Sequence, residues 1–273
     1  MNAIQAIILG IIQGLTEFIP VSSTAHLLVA QNLMGIPADD ASFAFAVIIQ
    51  LGTLLSLAVF YWQDLRDMAR GVVKGIFDRR LSGEPGSRLG WYVLLASLPA
   101  LVIGYLLRDL VETLFREPLL EAGIRLLLTT LLLSCAEFFG RERRPLSSMK
   151  WPDALIVGLF QVLSVFPGSS RSGSTITGGM LRNFDRPSAA RFAFLLSAPV
   201  MLVAGGYQTL QVMQLPGLGG LLPLIGLGFV SAALVGWLAI RWLIGYLKDH
   251  SLYSFAIYTA IAGVICLGLH FLV

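Results

Sequence analysis

The sequence predicts an all-α polytopic membrane protein with six transmembrane helices and two re-entrant helical hairpins, arranged as an inverted-topology repeat. Three observations carry this prediction: the composition, the lengths of the apolar segments and an internal similarity. Of the 273 residues, 56% are hydrophobic and only 13% are charged, and the mean hydropathy is +0.79. A soluble domain carries about 25% charged residues, so this chain cannot cover a water-facing surface of its size. The same values exclude a disordered chain.

Six apolar segments are long enough to cross a bilayer, which takes about 20 residues for about 30 Å of hydrocarbon. They lie near residues 44–62, 90–107, 119–139, 191–210, 221–244 and 253–272.

Two further apolar segments, near 3–19 and 154–166, are shorter. Each runs into a stretch rich in Pro and Ser and then into a second short apolar piece, at 25–34 and 174–181. This pattern is typical of a helical hairpin that returns to the side from which it started. Non-helical backbone is tolerated at membrane depth only where protein or a polar cavity covers it, so the two breaks are the first places to look for functional residues.

The basic residues predict the orientation. If both hairpins are re-entrant, four connections share one side of the membrane and carry 15 of the 19 Lys and Arg residues, whereas the other side carries only Arg108 and Arg116. Basic loops face the cytoplasm. Both termini are therefore predicted to be periplasmic, and the net charge of +3 is an orientation signal rather than a nucleic-acid footprint.

The connection at 64–77 leaves two interpretations open. Apolar residues at positions 65, 68, 72 and 76 fit one face of an interfacial helix on the cytoplasmic side. A plain solvated loop fits the sequence about as well.

The two halves of the chain resemble each other. Residues 10–23 match residues 158–170 with one gap, through a shared Gly-x-x-Gln-x-Leu-x-x-Phe pattern followed by Pro-x-Ser-Ser. We therefore expect one membrane domain over 1–273, with one repeat at about 1–139 and the other at about 150–273. Because the copies enter from opposite sides, they predict an inverted repeat, which places a binding site near its pseudo-two-fold axis.

The first break carries groups suited to catalysis. Gln13 and Glu17 are four residues apart and share a helix face, and a carboxylate in a membrane helix suggests function by default. Ser22 and Ser23 follow, and His26 lies three residues after Ser23, so that a hydroxyl and an imidazole could form an activated nucleophile. Helix capping by the serines, an interior histidine and a structural Glu17 are the alternatives.

The second break, Pro167–Thr175, has the composition of a phosphate cradle. Glycines let backbone N–H groups approach a ligand, the start of the following half-helix attracts anions, and the fork of Arg171 fits phosphate oxygens. Ser170, Ser172 and Thr175 add hydroxyl groups. The stretch lacks the Lys and the spacing of a nucleotide-binding P-loop.

Another basic residue, Arg125, lies four residues after Glu121 in the predicted span 119–139. This spacing favours an ion pair on one helix face, and a structural role is the preferred interpretation.

These motifs resemble the bacterial undecaprenyl-diphosphate phosphatase family, the bacitracin-resistance membrane phosphatases, over nearly the whole chain. Gln13-Gly-Leu-Thr-Glu17 looks like the family's Glu/Gln-x-x-x-Glu motif, residues 20–26 look like Pro-x-Ser-Ser-Thr-Gly-His, and residues 167–175 fit Pro-Gly-x-Ser-Arg-Ser-x-x-Thr. Two residues depart from the usual pattern. Gln13 replaces the frequent first Glu, which weakens joint metal binding by two carboxylates, and Ala25 replaces Gly.

The resemblance implies hydrolysis of undecaprenyl diphosphate to the monophosphate and inorganic phosphate, which recycles the lipid carrier of peptidoglycan synthesis and confers bacitracin resistance. It also implies a multi-pass protein of the bacterial inner membrane with a periplasmic active site and dependence on Mg²⁺ or Ca²⁺. The partners expected are the lipid substrate and membrane lipid, with no nucleic acid. The oligomeric state, a homodimer included, stays open.

Each candidate residue then has an expected role. Arg171 would neutralise phosphate oxygens together with Ser22, Ser170, Ser172 and Thr175. Glu17 would act as a general base or, with Gln13, hold a divalent cation, and His26 would relay a proton or protonate the leaving group. The nucleophile is either Ser23 or a water activated by Glu17 or His26. A polyprenyl-phosphate translocase is the alternative function, since inverted repeats with broken helices around an anion site are typical of transporters.

Overall fold

The computed structural model describes residues 1–78, 85–107, 117–141, 144–165, 169–214 and 218–272. The described residues form α-helices joined by short connections, with no β-strand among them. In chain order the helices are α1 (Ala3–Phe18), α2 (Ser23–Leu33), α3 (Asp40–Phe60), α4 (Trp62–Phe77), α5 (Pro85–Leu106), α6 (Pro118–Phe139), α7 (Trp151–Val162), α8 (Arg171–Leu181), α9 (Arg186–Val200), α10 (Gly206–Val212), α11 (Leu218–Tyr246) and α12 (Tyr253–Leu272).

Among the residues that the structure describes, six stretches of helix are long and apolar enough to cross a membrane, which confirms the predicted number of spans. They are Asp40–Phe60, Gly86–Leu106, Pro118–Phe139, Arg186–Val212, Gly219–Tyr246 and Tyr253–Leu272. The fourth span consists of α9, a π-helical segment at Met201–Gly205 and α10. Residues 64–77 lie within α4. The helical interpretation of that connection is therefore confirmed, and a plain loop is wrong.

Each predicted break lies between two short helices. The first lies between α1 and α2, where Ile19 is extended at ψ 130° because the residue before a proline is forced out of the helical region. The second follows α7, which tightens into a 3-10 turn at Leu163–Val165 before α8 begins at Arg171. Pro167 and Gly168 of the second motif lie outside the described residues.

Glycines let the first helix of each pair lie close to a long helix. α1 packs on α11, and α7 packs on α5. A Cβ at Gly10 would lie 2.3 Å from the Gly228 carbonyl oxygen, and one at Gly158 would lie 2.4 Å from that of Ala96. Only glycine permits so close an approach. The second helices, α2 and α8, both pack against α6, so the two breaks meet beside the same helix.

An ionic cluster holds the second helix pair together at the end away from its break. The Asp153 carboxylate is almost fully buried and accepts hydrogen bonds from Arg144 Nη2 at 2.7 Å and from Arg182 Nε at 2.8 Å. Burial by itself would raise the pKa of Asp153. The hydrogen bonds from Arg144, the Lys150 backbone and Arg182 outweigh it and hold the pKa below its ordinary value.

Candidate active site

Glu17 joins the two breaks through its carboxylate. One oxygen, Oε1, accepts a hydrogen bond from Arg171 Nη2 at 2.5 Å. The other, Oε2, accepts from Ser23 Oγ at 2.7 Å and from Gln13 Nε2 at 2.9 Å. Four side chains that the sequence selected from two distant segments therefore form one hydrogen-bonded group. We refer to these four residues as the Glu17 group.

The conformation of the first break directs Ser23 toward Glu17. Ser22 has φ +69°, which lies in the left-handed region that residues other than glycine seldom adopt. Its hydroxyl makes no capping bond to α2, and Ser23 bonds Glu17 instead of the helix backbone. The capping interpretation of these two serines is therefore not supported. Strained backbone of this kind clusters at functional sites.

The described residues of the second break lie at the start of α8. Ser170 caps the helix by accepting the Gly173 N–H at 3.1 Å, and its Oγ lies 3.1 Å from the Ser172 hydroxyl. Thr175 turns inward instead: it is buried and donates to the Arg171 carbonyl at 2.8 Å. Ser170, Arg171 and Ser172 line a cavity, whereas Thr175 is absent from the lining.

This cavity has a volume of about 780 Å³ and lies between the two breaks. Its polar wall combines residues of both motifs: Glu17, Ser22, Ser23, Thr24, Ser169, Ser170, Arg171 and Ser172. We refer to it as the central cavity. It is large enough for a phosphorylated headgroup, and pockets for small ligands have volumes of about 300–1,000 Å³.

Part of the cavity wall was not predicted from the sequence. The π-helical segment Met201–Gly205 contributes to it, and so do the side chains of Gln50, Arg125, Gln208 and Gln211. π-helical turns often occur at functional sites. Pro199, just before the segment, and the pair Gly205-Gly206, at its end, were the available signals for an irregular helix.

His26 lies away from the Glu17 group. Its Nδ1 is 2.9 Å from the Ser22 carbonyl oxygen, and its Nε2 is 2.7 Å from the Tyr258 hydroxyl on α12. The two rings stack, with centroids 5.7 Å apart. The expected pairing of His26 with Ser23 is therefore not found, because Ser23 turns back toward α1 while His26 turns toward α12.

The donor set around Glu17 suits only one kind of divalent cation site. Within the described ranges, no three His, Cys, Asp or Glu residues cluster closely enough to hold a metal ion. Glu17 is the carboxylate of the described cavity lining. Gln13 is buried, donates its amide N–H to Glu17 and is not among the lining residues, so the structure does not support it as a metal ligand. Mg²⁺ often binds through one or two carboxylates together with substrate phosphates and water. The residues therefore fit a cation that arrives largely on a phosphate ligand and do not fit one caged by protein alone.

Comparisons with known proteins agree with the motifs. The family model described as bacitracin resistance protein BacA matches residues 6–265. A protein of Chloroherpeton thalassium named undecaprenyl-diphosphatase is 41% identical over 98% of this chain and 97% of its own length. Proteins with the same name from an Anaeromyxobacter species and from Rubrobacter xylanophilus are 41% and 42% identical, over 96% and 94% of this chain and 90% and 94% of their own lengths.

Proposed function

We infer that this chain, which belongs to the bacitracin resistance protein BacA family, hydrolyses undecaprenyl diphosphate to undecaprenyl phosphate and inorganic phosphate. The observation that carries this inference is the bonding of Glu17 to both Ser23 and Arg171 on the wall of the central cavity. The reaction returns the lipid carrier to peptidoglycan and other envelope synthesis. It also withdraws the diphosphate form of the lipid, which is consistent with bacitracin resistance.

The start of α8 binds the terminal phosphate group. Arg171 supplies a permanent charge and two-pronged donation, and the free N–H groups of the helix start add a partial positive charge. Ser170 and Ser172 contribute hydroxyl groups from the same wall. Positive groups that are already positioned are the largest source of catalysis when charge spreads over phosphate oxygens in the transition state.

Ser23 is the nucleophile that the geometry favours. Its Oγ donates to Glu17 at 2.7 Å, which is within the range expected between a nucleophile and its base. Glu17 accepts the proton, and Oγ attacks the terminal phosphorus as the bond to the bridging oxygen breaks. Undecaprenyl phosphate leaves, and water then attacks the phosphoserine to release inorganic phosphate. In the alternative, Glu17 activates a water molecule directly and no phosphoserine forms.

His26 supports the first break and does not act as the base for Ser23. Its contacts to the Ser22 carbonyl and to Tyr258 tie the start of α2 to α12. The ring is thus a positioning group for the strained turn that aims Ser23.

A divalent cation, Mg²⁺ or Ca²⁺, would bind with the substrate. Glu17 would supply the protein ligand from the cavity wall, and the cation would neutralise phosphate charge when bound.

The membrane arrangement we propose is the inverted repeat, in which α1–α3 corresponds to α7–α9. The two short helix pairs are its re-entrant hairpins. The equivalent glycines Gly10 and Gly158 support this arrangement, since each seats the first helix of its pair on a long helix. The excess of Lys and Arg on one side supports a periplasmic location for both termini, and we propose that the mouth of the central cavity opens to the same side.

Phosphate release from undecaprenyl diphosphate by the purified protein in detergent tests the function. The natural chain should release phosphate, and Arg171→Ala should lose about 10²–10³-fold in kcat, the usual cost of removing one transition-state donor. Arg66→Ala is the matched control, because Arg66 pairs with its neighbour Asp67 on the surface and should keep the full rate. No release by the natural chain, or a full rate in Arg171→Ala, would refute the proposal.

A polyprenyl-phosphate translocase is the second candidate, and the broken helices around the central cavity favour it. A translocase needs groups that bind an anion but has no need of a carboxylate bonded to a serine hydroxyl. Movement of the lipid between vesicle leaflets with no phosphate release would reverse the assignment.

A further inference from the structure

A second arginine lines the central cavity, and the reaction described above does not use it. Arg125 lies on α6, and its side chain is only 13% exposed. Its Nε and Nη2 donate to Glu121 Oε1 at 2.9 and 2.5 Å. The ion pair expected from the spacing is therefore present. The structure adds that Arg125 and Arg171 line the same cavity.

Arg125 is connected to the phosphate cradle through a short chain of hydrogen bonds. The Thr129 hydroxyl donates to the Arg125 carbonyl at 2.7 Å. The same hydroxyl accepts the N–H of Ser170, the residue that caps α8, at 3.3 Å. Thr129 lies one turn further along α6, a rise of about 6 Å. Arg125 is thus linked through one hydroxyl group to the residue that caps α8, and both residues line the central cavity.

The charges in the cavity also point to a second anionic group. The described lining holds two arginines, Arg125 and Arg171, and one carboxylate, that of Glu17. Glu121, the partner of Arg125, is not among the lining residues. A lipid diphosphate carries negative charge on both phosphate groups. If Arg171 alone met them, the second phosphate would enter a partly buried cavity without a partner, which is costly. The planar fork of arginine suits phosphate oxygens better than a point charge.

We propose that Arg125 binds the phosphate group that stays on the lipid, while Arg171 binds the phosphate group that is attacked. This assignment rests on the proposed function and deepens it, because it makes the cavity a site for two linked phosphate groups. Glu121 is bonded to the same guanidinium, so it competes with the phosphate group for Arg125.

Binding measurements distinguish this role from a purely structural ion pair. The probes are methylenediphosphonate, which carries two linked anionic groups, and inorganic phosphate, which carries one. Their dissociation constants are measured by calorimetry on the purified protein. Arg125→Gln should weaken methylenediphosphonate by about tenfold or more, as expected for loss of a charge-assisted contact, and should change phosphate binding less than about threefold.

Glu121→Gln is the matched control, because it breaks the same ion pair and leaves the arginine in place. It should bind methylenediphosphonate as tightly as the natural chain or more tightly. Similar losses in both variants would overturn the proposal, as would equal weakening of both probes by Arg125→Gln. If Arg125→Gln does not fold, Arg125→Lys is the second variant, because lysine keeps the charge without the planar fork. It should lose affinity for methylenediphosphonate to an intermediate degree and change its affinity for phosphate less. An unchanged ratio of the two affinities would overturn the proposal. Because binding needs no turnover, a failure here is distinct from absent hydrolysis, which would refute the proposed function.

Discussion

At the scale of single residues, the carboxylate of Glu17 organises the site. Its four-residue spacing from Gln13 predicted that both side chains lie on one face of α1, and they are hydrogen-bonded. The contact with Arg171 spans 154 positions. Local spacing cannot predict a contact of that kind, although the internal similarity and the family motifs selected both residues.

His26 and Arg125 show where residue-scale reasoning fails. The i,i+3 spacing of Ser23 and His26 says that two side chains lie on one side of a helix and not which neighbours they meet. Here the neighbour of His26 is Tyr258, 232 positions away. Arg125 was assigned correctly to its ion pair with Glu121, but its position on the cavity wall depends on how α6 packs against α8.

Glu17→Gln tests the general base. The amide keeps the shape of the side chain but cannot accept the Ser23 proton, so kcat should fall by about 10²–10⁴-fold. Gln13→Ala removes a neighbouring donor and leaves the carboxylate, so its loss should be much smaller. Phosphate release under saturating substrate is the measurement, and a rate within about threefold of the natural chain in Glu17→Gln would exclude this role.

At the scale of helices, hydrophobic length predicted the six spans with ends that differ by at most a few residues. The short helices were also found, because proline and serine clusters mark where the helical pattern stops. The π-helical segment was not predicted. It continues the apolar run of α9, and a hydropathy pattern gives no weight to Pro199 or to the pair Gly205-Gly206 at its borders. The positions of α2 and α8 depend on packing against α6, which no local pattern encodes.

Gly158→Ala tests the close approach of α7 to α5. The added Cβ would lie 2.4 Å from the Ala96 carbonyl oxygen, so the helices must separate. Overpacking of this kind costs about 1–3 kcal/mol, and Tm should fall by several degrees.

Gly268→Ala is the control for this variant, because nothing lies within 4 Å of its added Cβ. Thermal unfolding of the detergent-solubilised proteins compares the two. Equal Tm values would show that the tight contact at Gly158 does not constrain the helix pair.

At the scale of the whole molecule, the few charged residues have two different roles. Most basic residues lie in the connections between spans and predict orientation. In contrast, Glu17, Arg125 and Arg171 line the central cavity. The number of spans and the all-helical class could be predicted from composition and length alone. The cavity could not, because its wall combines α1, α2, α3, α5, α6, α8, the π-helical segment and α10, and their meeting depends on tertiary packing.

Cysteine labelling tests the orientation. Asn2 and Ser147 are exposed and lie on opposite predicted sides, so each is replaced by Cys in a chain whose Cys135 and Cys266 are changed to Ala. In right-side-out vesicles an impermeant maleimide should label Asn2→Cys and spare Ser147→Cys, with the reverse in inverted vesicles. The opposite pattern would place the termini in the cytoplasm.

In the proposed reaction, Ser23 is activated by Glu17 and carries the phosphoryl group during hydrolysis of undecaprenyl diphosphate. The most direct measurement is rapid-quench mass spectrometry of the protein during turnover. In the natural chain we expect a phosphate group on the peptide that contains Ser23 within the first turnover. The Ser23→Ala variant should show neither this adduct nor turnover. The control variant Thr24→Ala should show both. Full activity of Ser23→Ala without a phosphorylated peptide would contradict the role of Ser23 as the nucleophile.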